Sequence, residues 1–599
     1  MGMRSHSFVR RDLSFLLCSL SFWACNRTPE VSSAPASAPE VDRAVSVIVP
    51  SLSPADPPPA ATPAKENALG NSNWTATEKS AGKMGLFQSL KGKGGGAGGM
   101  MGTVGVRSAA GAVAFGAGLA GVKMAPDEHW NTEAYAHQEE NDFRSPQVAP
   151  LSTFSVDVDT ASYANVRRIL HSGALPPVDA VRVEELINYF PYNYAAPKSE
   201  PFAANVEVAD CPWAPKHRLV RIGLKGREIE AAKRPASNLV FLIDVSGSMM
   251  PDNKLPLLKR SLAMLVRSLD ERDHVSMVVY AGTSGVVLPP TRGDQQTTIL
   301  AALERLEAGG STNGAQGIQL AYRLASKNFV KNGSNRVILA TDGDFNVGVT
   351  DEGSLVRLIE EKRDAGVYLS VLGFGMGNVK DSTMEKLADK GNGNYAYIDT
   401  LQEGRKVLVE QMTGTLITIA KDVKLQIEFN PALVKAYRQV GYENRQLRDE
   451  DFNNDKIDAG DIGAGHTVTA LYEIVPVGVE IDLPKVDPLK YRVTAPTVTT
   501  GGSELCTVKI RYKPPAGETS QLSSFVVADD ARTFNSASTD FKLAAAAAEF
   551  GMLLRASKHS GSTTWKQELE LARAGRGEDP HGYRAELIQL SELAEHLRR

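Results

Sequence analysis

Asp244, Ser246 and Ser248 stand at alternate positions in Asp244-Val245-Ser246-Gly247-Ser248, one carboxylate and two hydroxyls on a stretch where Gly247 relieves crowding. Side chains of these types at this spacing can turn three oxygens toward one point. Two later positions carry matching chemistry: Thr312, which follows Gly309-Gly310-Ser311, and Asp342, which precedes Gly343. Hard oxygen donors with neutral hydroxyls among them suit one divalent cation, Mg²⁺, Mn²⁺ or Ca²⁺, and not zinc. The expected use of such an ion is binding, and the chain is expected not to be an enzyme. Neither Ser246 nor Ser248 sits in a GxSxG frame, His274 and His466 are isolated, no second ion site accompanies the set, and no GxxxxGK[ST] loop occurs.

These residues need a scaffold that ends several strands at one edge. Asn238–Asp244 is a continuous apolar run that stops at Asp244, the pattern of a strand buried on both faces, and Arg336–Thr341 is a second such run that stops before Asp342. Leu306–Gly314 is a turn leading into a helical pattern, which puts Thr312 just ahead of a helix. Helices are expected over 255–269, 297–306, 314–329, 352–365 and 383–390, alternating with further strands over 275–280 and 367–374. Alternation of this kind predicts an α/β fold with a doubly wound, mostly parallel, Rossmann-like sheet, and ligands bind at the carboxyl edge of such sheets.

At this point a family resemblance enters. DxSxS after a first strand, Thr after a Gly-Gly loop and Asp-Gly after a central strand resemble the metal-ion-dependent adhesion site of von Willebrand factor type A (vWA) domains, over about residues 236–415. The resemblance implies that Ser246, Ser248 and Thr312 hold the ion directly, that Asp244 and Asp342 do so directly or through water, and that an open position accepts a carboxylate from a partner protein. Asp344 is expected to be solvated. Glu139–Phe143, Pro150–Arg168 and Val183–Phe190 resemble the N-terminal domain, 136–235, that accompanies a bacterial group of vWA proteins, and the run from Lys421 onward resembles that group's C-terminal domain, 416–599.

Within those flanks, 202–208, 218–224, 423–429, 468–475 and 507–512 alternate apolar and polar residues, as antiparallel strands with one wet face do. Strands on both sides of the α/β unit predict a β-sandwich assembled from both flanks. Val156-Asp157-Val158-Asp159 fits another strand with its carboxylates outward. The acidic run Asp451–Asp461 starts with calcium-loop spacing but has Lys456 where the turn glycine belongs, so an acidic surface loop is expected. Residues 541–554, 565–574 and 581–597 predict a C-terminal helical segment.

The N-terminus looks like an address. Residues 1–25 join a basic start, an apolar run of about 12 residues and Ala24-Cys25, too short to span a bilayer and similar to a bacterial signal peptide ending in a lipobox, with Cys25 the expected lipidation site. Phe22 and Trp23 depart from the usual lipobox residues, which leaves secretion or an uncleaved anchor open. Residues 26–135 are rich in Ser, Pro, Ala and Gly and suit a tether. Beyond the leader, Cys211 and Cys506 are the pair that could form a disulfide, with two separately buried thiols the commoner outcome for distant cysteines. With 66 Lys plus Arg against 70 Asp plus Glu, no net field points to nucleic acid. The expected role is ion-dependent protein binding at the cell envelope, membrane-anchored through lipid; the alternative is a scaffold or assembly factor for an envelope protein complex.

Overall fold

Every residue of Ser237–Asp244 is buried, and the two sides of this strand feed two different cores. The computed structural model describes residues 133–599, apart from 311–313, 344–351, 412–413, 415, 458, 484–501 and 516. The leader, Cys25, nearly all of the tether, Thr312 and Asp344 therefore lie outside the described residues. In chain order the strands are β1 (Leu151–Ser155), β2 (Phe202–Cys211), β3 (Ala214–Gly226), β4 (Ser237–Asp244), β5 (His274–Ala281), β6 (Thr283–Arg292), β7 (Ser334–Thr341), β8 (Tyr368–Phe374) and β9 (Tyr395–Ile398). They continue as β10 (Thr418–Phe429), β11 (Val434–Val440), β12 (Gln446–Leu447), β13 (Ile462–Gly463), β14 (Thr467–Pro476), β15 (Glu504–Lys513) and β16 (Gln521–Ala528).

The central sheet has the order β6-β5-β4-β7-β8-β9, parallel except for β6, which turns back antiparallel on β5. Leu239, Phe241 and Ile243 of β4 join one core with α3 (Leu255–Val266) and α4 (Gln296–Glu304), while Val240 and Leu242 join another with α5 (Gly314–Lys327), α6 (Glu352–Asp364) and α7 (Asp381–Lys390). A strand covered on both faces needs apolar residues on both, which is why Leu239–Ile243 of β4 shows no alternation. Pro256 at the start of α3 takes a place where a missing N–H costs nothing. The expected helices and strands of this unit are all present, with ends shifted by a few residues.

The flanks fold together. β3 pairs with β2 on one side and with β14 on the other, and β1 pairs with β10, so residues before and after the α/β unit share both antiparallel sheets. The sheets have the orders β12-β1-β10-β15-β16, with β13 on β10, and β11-β14-β3-β2. Phe429 stacks on Tyr437 at 3.9 Å and Phe202 meets Tyr512 edge-on at 4.8 Å, each pair joining one sheet to the other, as the expected sandwich requires. The C-terminal helices α9 (Thr539–Arg555), α10 (Trp565–Gly575) and α11 (Tyr583–Arg598) close a further core, in which Ala544–Ala548 lie buried with Leu186 of α2 (Val183–Asn188), Leu219 of β3 and Leu587 of α11.

A buried ionic knot joins three segments. Arg167 of α1 (Ala161–His171) donates to Asp399, to Glu403 at 2.8 Å and to Glu586 of α11 at 2.9 Å; Glu403 lies on α8 (Leu401–Arg405), the end of the α/β unit. The Tyr189 hydroxyl donates to the same Glu403 at 2.6 Å, and the Lys406 ammonium stands 2.9 Å from the centre of the Tyr189 ring.

One expectation is corrected here. β1 ends at Ser155, so Asp157 and Asp159 are not outward residues of a strand; Asp159 is buried, accepts the Tyr395 N–H at 2.8 Å and faces Arg445 at 3.2 Å, because a buried guanidinium draws carboxylates inward. Cys211 and Cys506 form no disulfide: both are free and buried, on β2 and β15 in different sheets, and burial pushes the Cys506 thiol up to about 12.

Candidate metal centre

β4 and β7 are adjacent parallel strands in register, Ile243 beside Ala340, so Asp244 at the end of one and Asp342 just past the other emerge side by side. This is the point where the strand order reverses direction, the crevice in which open α/β sheets bind ligands. Asp244 is fully buried; its Oδ1 accepts the Ser246 N–H at 2.9 Å, and its Oδ2 accepts the Tyr280 hydroxyl and the Thr341 hydroxyl, each at 3.2 Å. The Ser246 turn brings its hydroxyl to 3.0 Å from that of Ser248. Gly247 N–H donates to Gly310 O at 3.1 Å and Gly309 N–H to Val245 O at 2.7 Å, which ties the loop before α5 to the loop after β4. Gly343 has φ +113°, and a Cβ there would lie 2.4 Å from the carbonyl oxygen of Asn378, so the turn carrying Asp342 depends on a glycine.

The structure thus brings Asp244, Ser246, Ser248 and Asp342 to one edge, while Thr312 lies outside the described residues, two positions past Gly310. Burial raises the pKa of Asp244, opposed in part by the hydrogen bonds from Ser246. Burial acts the same way on Asp342, but the Lys254 ammonium, 2.8 Å from its Oδ2, together with Ser248 and Asn378 outweighs it and holds this carboxyl below its ordinary value. Asp342 Oδ1 is buried with no hydrogen-bond partner. A carboxylate oxygen in that condition beside two hydroxyls fits a hard cation. Among the described residues no cluster of three or more His, Cys, Asp or Glu could hold an ion, so the set depends on its hydroxyl oxygens.

Sequence reasoning missed Lys254, Tyr280 and Thr341. A lysine one position before a helix looks solvated in sequence, and nothing in the strand-end residues marks them as hydrogen-bond donors to Asp244. Two methionines close in sequence to these residues are exposed, Met250 two positions past Ser248 and Met376 beside Gly375. Elsewhere, lysines from neighbouring strands meet the acidic loop: Lys424 Nζ of β10 donates to the carbonyls of Asp451 at 3.2 Å and Asn454 at 2.6 Å, and Lys513 Nζ of β15 to that of Asp455 at 2.8 Å. His466 is held neutral, its pKa pushed down to about 4 by burial.

Residues 238–411 match the model of the von Willebrand factor type A domain, and residues 129–221 match a von Willebrand factor model. Fold and site together define a vWA domain protein, a class concerned in general with protein interaction or metal-dependent adhesion. Residues 414–597 match the model described as "Uncharacterized protein YfbK, C-terminal". The chain is 48% identical over 473 residues to the Escherichia coli K12 protein "Uncharacterized protein YfbK", across 78% of this chain and 81% of that one, and it belongs to that family of bacterial vWA proteins. A Synechocystis relative, "Uncharacterized protein sll0103", is 25% identical over 51% of this chain and 69% of its own length. The solved "von Willebrand factor type A from Catenulispora acidiphila" aligns with 73% of this chain and 88% of its own at 15% identity and a TM-score of 0.35.

Proposed function

We propose that this chain is an envelope-anchored protein that recognises another protein through one divalent cation, Mg²⁺, Mn²⁺ or Ca²⁺, held by Asp244, Ser246, Ser248, Thr312 and Asp342, and that it is not an enzyme. The observation that carries the reading is the meeting of two carboxylates and two hydroxyls at adjacent parallel strand ends, with one buried Asp342 oxygen unpartnered. Such an ion supplies a positive point to which a partner's carboxylate can bind. This chain's residues fix the oxygens: Tyr280, Thr341 and the Ser246 N–H orient Asp244, and Lys254 orients Asp342.

Anchoring rests on Cys25 after a short apolar leader, with residues 26–135 as the tether. No helix among the described residues is long and apolar enough to cross a membrane. The test is capture from envelope extract in Mg²⁺ and in EDTA, with the native protein and Asp342→Ala. Partners held by the native protein in Mg²⁺ and lost both in EDTA and with the variant support the reading; capture indifferent to both removes it.

A further inference from the structure

Lys254 immediately precedes α3, and its side chain is walled in. It is 7% exposed, and its stem crosses Gly375, where φ is +82° and an added Cβ would lie 2.1 Å from the lysine Cε. Its backbone is fixed at both ends: its N–H donates to Pro251 O at 2.9 Å, and its carbonyl accepts the Leu258 N–H at 2.8 Å. Leu255, Leu257 and Leu258, which follow, are buried. Nζ donates to Asp342 Oδ2 at 2.8 Å and reaches Asn378 Oδ1 at 3.4 Å. The ammonium therefore cannot swing to solvent without opening the start of α3 or the turn at Gly375.

We propose that Lys254 is a resident charge of the metal centre, which stays on Asp342 when an ion arrives and sets how weakly that ion is held. This rests on the ion-binding reading and adds the residue that tunes it. Among the described residues, two carboxylates and one ammonium give the centre a single net negative charge. A divalent cation entering it meets a carboxylate already half neutralised and a like charge beside it, in a place where burial strengthens the repulsion. The loaded centre then carries net positive charge, which favours an acidic group from a partner and disfavours a neutral one. Lys424 of β10 and Lys513 of β15 make the same use of an ammonium on the oxygen donors of the acidic loop. A lysine that only positions Asp342 would act with the opposite sign, since its loss would loosen the ion.

The experiment is calorimetric titration of Mn²⁺ alone into the full chain, comparing the native protein with Lys254→Met and with Lys254→Gln, which keeps a donor near Asp342 should the apolar variant misfold. We expect both variants to bind Mn²⁺ about tenfold more tightly, ~1.4 kcal/mol, and Lys254→Met to melt lower than the native protein in EDTA, because Asp342 is left buried and unpaired. Ion uptake by the variants but not by the native protein also supports the proposal, with Lys254 then strong enough to exclude the ion. Native binding with equal or weaker binding in the variants overturns the proposal and leaves the ion-binding reading standing. No uptake by any of them overturns both.

Discussion

Replacing Asp244 by Asn should make stability cross over between metal-free and metal-loaded conditions. Asp244 is fully buried, and burial raises its pKa, so its charge is held at a cost when no ion is bound. Asn has the same shape. Its carbonyl oxygen can keep the Ser246 N–H bond of 2.9 Å, and its amide N–H groups then face the Tyr280 and Thr341 hydroxyls, both 3.2 Å from the native oxygen and both able to accept as well as donate. With hydrogen bonds kept and the buried charge gone, Asp244→Asn in EDTA should be as stable as the native protein or up to ~1 kcal/mol more stable. In Mg²⁺ at about a hundred times its dissociation constant the native protein gains ~2.7 kcal/mol, and a variant without this carboxylate gains little. Urea unfolding in EDTA and in MgCl₂ reads both limits on the same samples. A variant that gains as much from Mg²⁺ as the native protein would refute the ion site; one that loses more than about 2 kcal/mol in EDTA would show that the charge itself supports the fold.

Two further outcomes follow from buried charges away from this edge. Arg167→Met should destabilise by about 3–5 kcal/mol in denaturant unfolding, since Asp399 would stay buried without its cation and Glu403 would keep only Lys406; a loss below ~1 kcal/mol would mean the knot contributes nothing net. Glu549 is fully buried, with its pKa pushed up to about 8 from an ordinary 4.5 by burial. A raised carboxyl pKa favours folding at low pH and loses that contribution as pH rises from about 4.5 through 8. Glu549→Gln should therefore gain on the native protein by a few kcal/mol between pH 5 and pH 9 in urea unfolding, and parallel pH profiles would refute the assignment.

The α/β unit was legible because its rule is local. β4 and β7 each carry an unbroken apolar run, Leu239–Ile243 and Val337–Ala340, that ends just before a carboxylate, and the helices between them keep a 3.6-residue period, so the edge on which Asp244 and Asp342 meet followed from sequence. The strands of the flanks were legible for the same reason, through their period of two. Their exact pairing was not, because Leu471 lies beside Arg221 across 250 positions of chain, and alternation says that a strand has a wet face without saying which strand adjoins it. Lys254 and Asp159 show the other limit. Both are charged residues that sequence places in water, and both are buried because a residue distant in the chain, Asp342 for one and Arg445 for the other, supplies the opposite charge.

The way the α/β unit enters and leaves the sandwich gives the ion site a reach beyond its own loops. The unit leaves β3 after Gly226 and returns at β10, and these two points adjoin: a Cβ on Gly226 would lie 2.7 Å from Gly463 O and 2.9 Å from Ile419 Cδ1, while the Gly226 N–H donates to His466 O at 2.8 Å. A unit whose ends emerge together can be carried between two strands without straining their pairing. Its exit helix α8 is gripped by Arg167 and Tyr189 from the N-terminal flank, and Glu586 of α11 binds the same arginine. Energy gained at Asp244 and Asp342 is therefore not confined to the central sheet. Any opening of that sheet that moves α8 must also break the buried contacts of α1 and α11, so ion binding should protect the flanks against unfolding along with the unit that holds the ion.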